Sequence, residues 1–95
     1  MGEGAAVVPT VSIFFGVIIQ MYWREHAPPH VHAYYQGYEA LFAIKTGEVI
    51  GGRLPGKVQT LVADWVLARG DALMDNWERG RRMLPFEKVP GADVE

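Results

Sequence analysis

All three histidines of the chain lie within seven residues, at positions 26, 30 and 32. His30 and His32 begin a run of β-branched and aromatic residues, HVHAYY, which predicts a β-strand. Because successive side chains of a strand project to opposite faces, residues two apart project to the same face. His30 and His32 therefore share a face whatever the register, and two neighbouring imidazoles can transfer protons or bind a metal ion.

The first interpretation of this group is acid–base catalysis without a metal. One histidine would deprotonate a ribose hydroxyl while the other protonates the leaving oxygen, and a free imidazole pKa of about 6.5 suits both roles. A cation and a hydroxyl would hold the phosphate. The predicted catalytic residues are His30 and His32 for proton transfer, Arg24 and Tyr22 for the phosphate, and Glu39 to orient a histidine. The candidate reaction is cleavage of RNA phosphodiester bonds.

Two further interpretations stay open. In one, His26 from the preceding loop joins His30 and His32 to bind a divalent metal such as zinc, with one coordination position left open. In the other, this face or a strand edge binds another protein without any chemistry. The chain has no cysteine, which excludes disulfides, thiolate zinc ligands and thiol nucleophiles. No cofactor is required by the sequence, and the choice between enzyme and binding module stays open.

The predicted secondary structure that must position these residues changes from strands to helices near Arg53. Before it, β-branched and aromatic residues with closely spaced glycines predict strands, and after Leu54 the apolar residues recur at helical spacing. The predicted strands are 10–14, 17–24, 30–35 and 38–45, with a fifth pairing segment at 48–51. The predicted helices are 55–69, with Pro55 first and Gly70 as C-terminal cap, and 72–83, with Asp71 as N-cap. The predicted fold is α+β, an antiparallel meander of four to five strands followed by two C-terminal helices packed on one sheet face.

The predicted turns also set a register. Two-residue hairpins at 36–37 and 46–47 place the apolar side chains of strands three and four on one face, under the helices. The other face collects His30, His32, Tyr34, Glu39, Leu41, Lys45 and Glu48. Pairing of strands two and three places Arg24 beside His30, Tyr22 beside His32 and Gln20 beside Tyr34. A slip of one residue would send Arg24 and Glu39 to the opposite face.

Length and charge describe one ordinary globular domain. The chain has 95 residues, 9 basic against 11 acidic side chains and a formal net charge of −2. That charge disfavours nucleic-acid binding through a global positive field. The apolar stretches are shorter than the roughly 20 residues of a membrane-spanning helix, and no basic segment of a signal peptide is present, so we expect a cytoplasmic protein without membrane contact. The predicted domain spans 9–88, between tails 1–8 and 89–95.

A longer motif surrounds the histidines. The segment HAPPHVHA at 26–33, with PTVS at 9–12, GVIIQMY at 16–22, LVADW at 61–65 and NW at 76–77, resembles a family of small bacterial proteins. It is the domain of unknown function 4160 family, whose hallmark is a His-x-Pro-Pro-His-Phe-His-Ala type motif. The similarity covers about 9–84. Two positions depart from the family pattern: Val31 replaces the usual aromatic residue, and Gln20 stands where many members carry a basic residue.

The resemblance implies a biological setting and no established activity. Members of the family are often encoded beside another small protein, in an arrangement similar to toxin–antitoxin pairs. The predicted function is thus that of one component of such a pair, acting through the histidine-rich face, with a small cognate protein as partner. RNA and a second copy of the chain are further candidate partners. The alternative is a non-catalytic protein-binding or regulatory module, with or without a histidine-bound divalent metal.

Overall fold

Five strands fill the first half of the chain in the computed structural model, which describes residues 9–94. They are β1 (Thr10–Phe14), β2 (Val17–Gln20), β3 (His30–Tyr35), β4 (Tyr38–Ala43) and β5 (Val49–Arg53). Each strand pairs antiparallel with the next, in the order β1-β2-β3-β4-β5. The predicted meander is confirmed with its fifth strand. The predicted tail 1–8 lies outside the described residues.

The alternation of side chains divides the sheet into two faces. On one face, which we call the inner face, Val17, Ile19, Val31, Ala33, Ala40 and Phe42 are fully buried. The opposite side, which we call the outer face, is crossed by two rows of paired residues. One row is Ile13, Ile18, Tyr34, Glu39 and Arg53, and the next is Gln20, His32, Leu41 and Gly51.

Two helices cover the inner face, as predicted. They are α1 (Gly56–Ala68) and α2 (Gly70–Arg81). Their buried residues join the inner face in one apolar core, and these are Val62, Trp65, Val66, Leu73 and Trp77. Within residues 9–94, no helix is both long enough and apolar enough to span a membrane.

The helix boundaries differ from the prediction at the junction of α1 and α2. Pro55 caps α1 from outside, and Gly70 is the first residue of α2 instead of a terminator of α1. Asp71 lies in the first turn of α2 and makes no capping hydrogen bond, because Arg69 takes the N-cap position. The Arg69 N–H donates to Trp65 O and the Leu73 N–H donates to Arg69 O, at 2.9 and 3.0 Å. The helical hydrogen bonds thus run into Arg69 from one helix and out of it into the next, which leaves no loop for a separate cap.

The strand predicted at 17–24 is too long, since β2 ends at Gln20. The Met21 N–H donates to Pro9 O, while the Arg24 N–H donates to Gly80 O of α2 at 3.3 Å. Arg24 takes a left-handed backbone conformation, with φ 59°, which bends the chain out of the sheet. The pairs predicted for Arg24, Tyr22 and Gln20 are therefore wrong. The observed pairs are Ile18 with Tyr34, Ile19 with Ala33 and Gln20 with His32.

This shift is an even number of residues, so the side chains that remain in β2 and β3 keep their predicted faces. The turn at 36–37 is confirmed, because Tyr35 pairs with Tyr38 across it. The hairpin predicted at 46–47 is wrong, since β4 ends at Ala43 instead of residue 45 and β5 spans 49–53 instead of 48–51. A bulge between Leu41 and Phe42 shifts this pairing, and Gly52 next to it has φ 66°. Such bulges twist an edge strand away from further pairing.

The residues after α2 return along β1. The Val89 N–H donates to Val11 O at 2.8 Å, and the Trp65 indole donates to Pro90 O at 2.9 Å. The Asn76 side-chain amide donates to Glu87 O, and the Glu87 N–H donates to Asn76 Oδ1, both at 2.8 Å. Val89 is buried with the core. The described part of the predicted C-terminal tail, 89–94, thus begins as a segment fastened to β1 and α1.

Candidate metal centre

His30 begins β3 and is held in one orientation by its surroundings. Its Nδ1 lies 2.7 Å from Pro28 O. A carbonyl oxygen can only accept, so Nδ1 carries the proton and donates it. The Trp77 ring of α2 packs against the imidazole, with ring centroids 5.3 Å apart, and the side chain is buried. The Nε2 atom of His30 is therefore the one turned toward its polar neighbours.

Glu25 brings the two histidines together. Its Oε1 atom lies 3.1 Å from His30 Nε2 and 2.9 Å from His32 Nε2. One ligand atom from each of the three residues lies within 4.8 Å of the other two. On the far side of the second ring, His32 Nδ1 lies 3.2 Å from Glu39 Oε2. One carboxylate and two imidazole nitrogens thus converge on a single point at the end of the outer face.

These contacts need either additional protons or a bound cation between the three groups. A neutral imidazole has one N–H, yet His32 has a carboxylate oxygen at each ring nitrogen. His30 donates through Nδ1 to Pro28, and its Nε2 also faces Glu25. Either extra protons or one cation bound to both Nε2 atoms and the carboxylate can satisfy these contacts. A single metal ion would satisfy all of these contacts. Pro28 O and Glu39 would then be the outer hydrogen-bond partners that metal-bound histidines carry.

The distances suit a small divalent cation. Zinc binds imidazole nitrogen and carboxylate oxygen at about 2.0–2.2 Å, and tetrahedral ligands are then separated by about 3.3 Å. The Glu25 contacts of 2.9 and 3.1 Å are a few tenths of an ångström shorter. Entry of an ion thus requires an outward shift of Glu25, whose side chain is 25% exposed. The two histidine ligand atoms, which lie within 4.8 Å of each other, must also match the tetrahedral spacing.

The structure brings two further predicted site residues into contact with His32 and leaves two others outside the converging group. Glu39 contacts His32, where the sequence placed an orienting carboxylate. The Tyr22 ring meets the His32 ring edge to face, with centroids 4.7 Å apart. His26, the predicted third metal ligand, is exposed and does not belong to the converging group, in which Glu25 takes that place. Arg24 is exposed, and its backbone N–H donates to Gly80 O of α2 instead of pairing with β3 beside His30.

A chain of hydrogen bonds runs along the outer face beside the metal centre. The Tyr22 hydroxyl donates to Gln20 Oε1 at 2.7 Å and lies 2.9 Å from the Tyr34 hydroxyl. The Gln20 amide in turn donates to Thr10 Oγ1 at 3.2 Å. Burial, helped by the hydrogen bond to Tyr22, raises the pKa of Tyr34 far above its ordinary value. The Tyr34 phenol is therefore a neutral hydrogen-bond partner for the Tyr22 hydroxyl, and the Tyr22 ring packs against His32.

Glu25 is the site residue that the sequence interpretation missed. Alternation along a strand places His30 and His32, but Glu25 lies in the loop before β3, where no periodicity applies. The signal in the sequence is a carboxylate five residues before the first histidine of the His-x-His pair. That spacing becomes informative only when the loop is known to fold back over the strand.

Comparison with protein families matches residues 16–78 to the model described as Domain of unknown function (DUF4160). The matched range contains Glu25, His30, His32 and Glu39, together with β2 to β5 and α1. It confirms the resemblance carried by the histidine motif. Comparisons with curated proteins and with solved structures find no match to the chain.

Proposed function

Because the chain belongs to the DUF4160 family, whose domain has no known function, we propose a function from its own geometry. The protein binds one divalent transition-metal ion, zinc in the first place, through Glu25, His30 and His32. The observation that carries the proposal is the position of Glu25 Oε1, 3.1 and 2.9 Å from the two Nε2 atoms. Two imidazoles and one carboxylate are ligands that suit zinc, and three protein ligands leave one position for water or a substrate.

The same geometry weighs against catalysis by the histidine pair alone. A general base and a general acid act at opposite ends of the cleaved phosphodiester, so their nitrogens must face it from two sides. Here both Nε2 atoms face the same carboxylate oxygen. We therefore propose that Glu25, His30 and His32 would hold the ion for RNA cleavage. The ion would supply an activated water at neutral pH, and hydrolysis would break one P–O bond of the phosphodiester to give a phosphate end and a hydroxyl end. Arg24 and Tyr22 keep their proposed role at the phosphate.

Metal titration tests the proposal directly. Metal-free protein without a histidine tag is titrated with Zn²⁺ by calorimetry, and with Co²⁺ while its absorption spectrum is recorded. We expect one ion per chain. Glu25→Gln, His30→Ala and His32→Ala should each weaken binding by more than about 100-fold, since loss of an outer partner alone costs 10–100-fold.

His26→Ala is the matched control, because it removes the one remaining histidine, next to Glu25 in the same loop. It should leave the affinity unchanged. A wild-type protein that binds no stoichiometric ion, or an equal loss in His26→Ala, would contradict the proposal.

The catalytic part has its own measurement. Short single-stranded RNA is incubated with the metal-loaded and metal-free protein and with Glu25→Gln. Cleavage that needs the metal and disappears in Glu25→Gln supports the hydrolytic role. If the protein binds one metal ion per chain but cleaves no RNA, the proposed cleavage is wrong and the protein is a non-catalytic metal-binding module.

A second candidate function is binding of a small partner protein through the outer face, as expected for a toxin–antitoxin-like pair in the cytoplasm. Ile13 and Ile18 pair with each other on this face and are 63% and 37% exposed, and Phe15 in the turn between them is 62% exposed. Such neighbouring apolar side chains favour a protein partner. The strand edges favour it less, because the segment at Val89 bonds to β1 and the bulge opposite Leu41 and Phe42 twists β5.

Co-purification with the product of the adjacent gene tests this second function. Ile18→Asp should abolish the complex, whereas Leu67→Asp, which places the same charge at an exposed leucine of α1, should leave it intact. A complex that survives Ile18→Asp would place the interface elsewhere. Light scattering of the isolated chain shows whether a second copy occupies the face instead.

A further inference from the structure

The ligand Glu25 is positioned differently from the two histidines. The histidines belong to β3, which is paired on both sides in the sheet. Glu25 lies in the connection after β2, which leaves the sheet at Gln20 and reaches β3 through Pro28 and Pro29. Residues 21–29 of this connection belong to no strand of the sheet, so other contacts must hold Glu25 over the histidines.

Trp23 provides two of these contacts. Its ring stacks on Phe86, with centroids 4.5 Å apart and an interplanar angle of 25°. Its indole N–H donates to Leu84 O at 2.9 Å. Both partners belong to the segment after α2, so Trp23 ties the connection to the C-terminal half of the chain.

The end of α2 completes this attachment. The Arg24 N–H donates to Gly80 O at 3.3 Å. A Cβ atom on Gly80 would lie 3.0 Å from the Phe86 ring and 3.4 Å from Tyr22 O, so the connection packs directly on the helix backbone. Trp77, one turn earlier in α2, packs on His30. One helix end therefore supports the histidine on one side and the carboxylate on the other.

We infer that Trp23 is a positioning residue for Glu25 and thereby sets the affinity of the metal centre. This inference rests on the proposed metal site. Glu25 follows Trp23 by two residues, with Arg24 fixed between them in the left-handed conformation. A displacement of the indole therefore moves the carboxylate relative to the two Nε2 atoms. Within residues 9–94, the hydrogen bond and the ring contact of Trp23 go to Leu84 and Phe86 and not to Glu25, His30 or His32, so its effect on the metal is transmitted through Glu25.

The test is a double-mutant cycle on Zn²⁺ affinity. Trp23→Phe keeps an aromatic ring on Phe86 and removes the bond to Leu84 O, and Trp23→Ala removes both. We expect Trp23→Ala to weaken Zn²⁺ binding about 10–100-fold, as loss of an outer support does, and Trp23→Phe to weaken it less. In the Glu25→Gln background, Trp23→Ala should change the affinity by less than about twofold, because the ligand it positions is already lost.

Trp65→Phe is the matched control. Trp65 also donates its indole N–H to a backbone carbonyl of the C-terminal segment, at 2.9 Å, and lies 4.9 Å from a phenylalanine ring, that of Phe14. It is part of the core and not of the connection that carries Glu25. Trp65→Phe should lower the free energy of unfolding without changing Zn²⁺ affinity. The Co²⁺ spectrum should shift toward that of Glu25→Gln in Trp23→Ala and stay unchanged in Trp65→Phe.

The outcomes separate the inference from the proposal on which it rests. Equal losses of affinity in Trp23→Phe and Trp65→Phe would mean that stability alone is responsible and would overturn the inference. An undiminished effect of Trp23→Ala in the Glu25→Gln background would also overturn it, because Trp23 would then act through the histidines. A wild-type protein without Zn²⁺ binding would overturn the proposed function, and the inference with it.

Discussion

The inner and outer faces of the sheet are built from alternate residues of the same strands, yet they carry opposite chemistry. In β3, Val31 and Ala33 are fully buried under the helices, while His32 and Tyr34 between and beside them are half-buried and polar. In β4, the fully buried Ala40 and Phe42 alternate with the exposed Glu39 and the half-buried Leu41. Residues 9–94 of this short chain form one sheet and two helices, so one face must supply the core and the other is left for recognition.

His30 marks the boundary between the two faces. It shares the side of β3 that carries His32, yet it is buried against Trp77 of α2. The proposed metal centre thus lies where the core ends and the outer face begins. This position lets rigid core contacts fix one ligand while another, Glu25, stays 25% exposed and accessible to an ion.

The largest expected effect on stability comes from a substitution on the inner face. Phe42→Ala removes a fully buried ring opposite Val31 and should lower the free energy of unfolding by about 3–5 kcal/mol, because a cavity is left behind. Leu41→Ala, one residue earlier on the outer face, should cost about half as much or less, because its side chain is half-exposed. Urea denaturation of the metal-free proteins measures both. Equal losses would show that the two faces do not differ in their contribution to stability.

The next effect is that of metal removal, which acts through the outer face. At a free Zn²⁺ concentration 100 times the dissociation constant, binding should stabilise the folded protein by about 2.7 kcal/mol. Chelation should remove this stabilisation and lower the Tm. In His32→Ala the Tm should be the same with and without Zn²⁺, and a Zn²⁺-dependent Tm in that variant would place the ion elsewhere.

The sequence predicted the two faces well because alternation depends only on counting residues along a strand. Val31, Phe42, His32 and Glu39 all lie on their predicted sides. The prediction failed in the connection after β2, where Arg24 bends the chain toward Gly80, 56 residues later in the sequence. Local spacing contains no information about that contact, so the β2 register, the position of Arg24 and the ligand Glu25 were not predictable from it.

A smaller effect is expected from the carboxylate behind His32. Glu39→Gln keeps an acceptor near His32 Nδ1, 3.2 Å away in the native protein, but removes its charge. We expect Zn²⁺ affinity to fall by about 10-fold, the low end for an outer partner, because the Glu39 side chain is 47% exposed. Glu48→Gln removes the same charge from the exposed turn before β5 and should leave the affinity unchanged. A matching loss in both variants would indicate a general electrostatic effect of the outer face.

The smallest effect concerns Tyr34, in the row beside the metal centre. Burial and the hydrogen bond to Tyr22 raise its pKa, so the folded state favours the neutral phenol. The stability this provides is complete below the ordinary tyrosine pKa of about 10 and is lost as the pH rises above it. Between pH 9 and 11 wild type should therefore lose more free energy of unfolding than Tyr34→Phe, by less than about 1 kcal/mol because the group is partly solvated. Urea denaturation at both pH values measures the difference, with Tyr38→Phe on the exposed part of β4 expected to retain the wild-type loss. If Tyr34→Phe loses as much stability as wild type, the outer face gains no alkaline sensitivity from this phenol, and its hydrogen-bonded chain serves only to orient the ring beside His32.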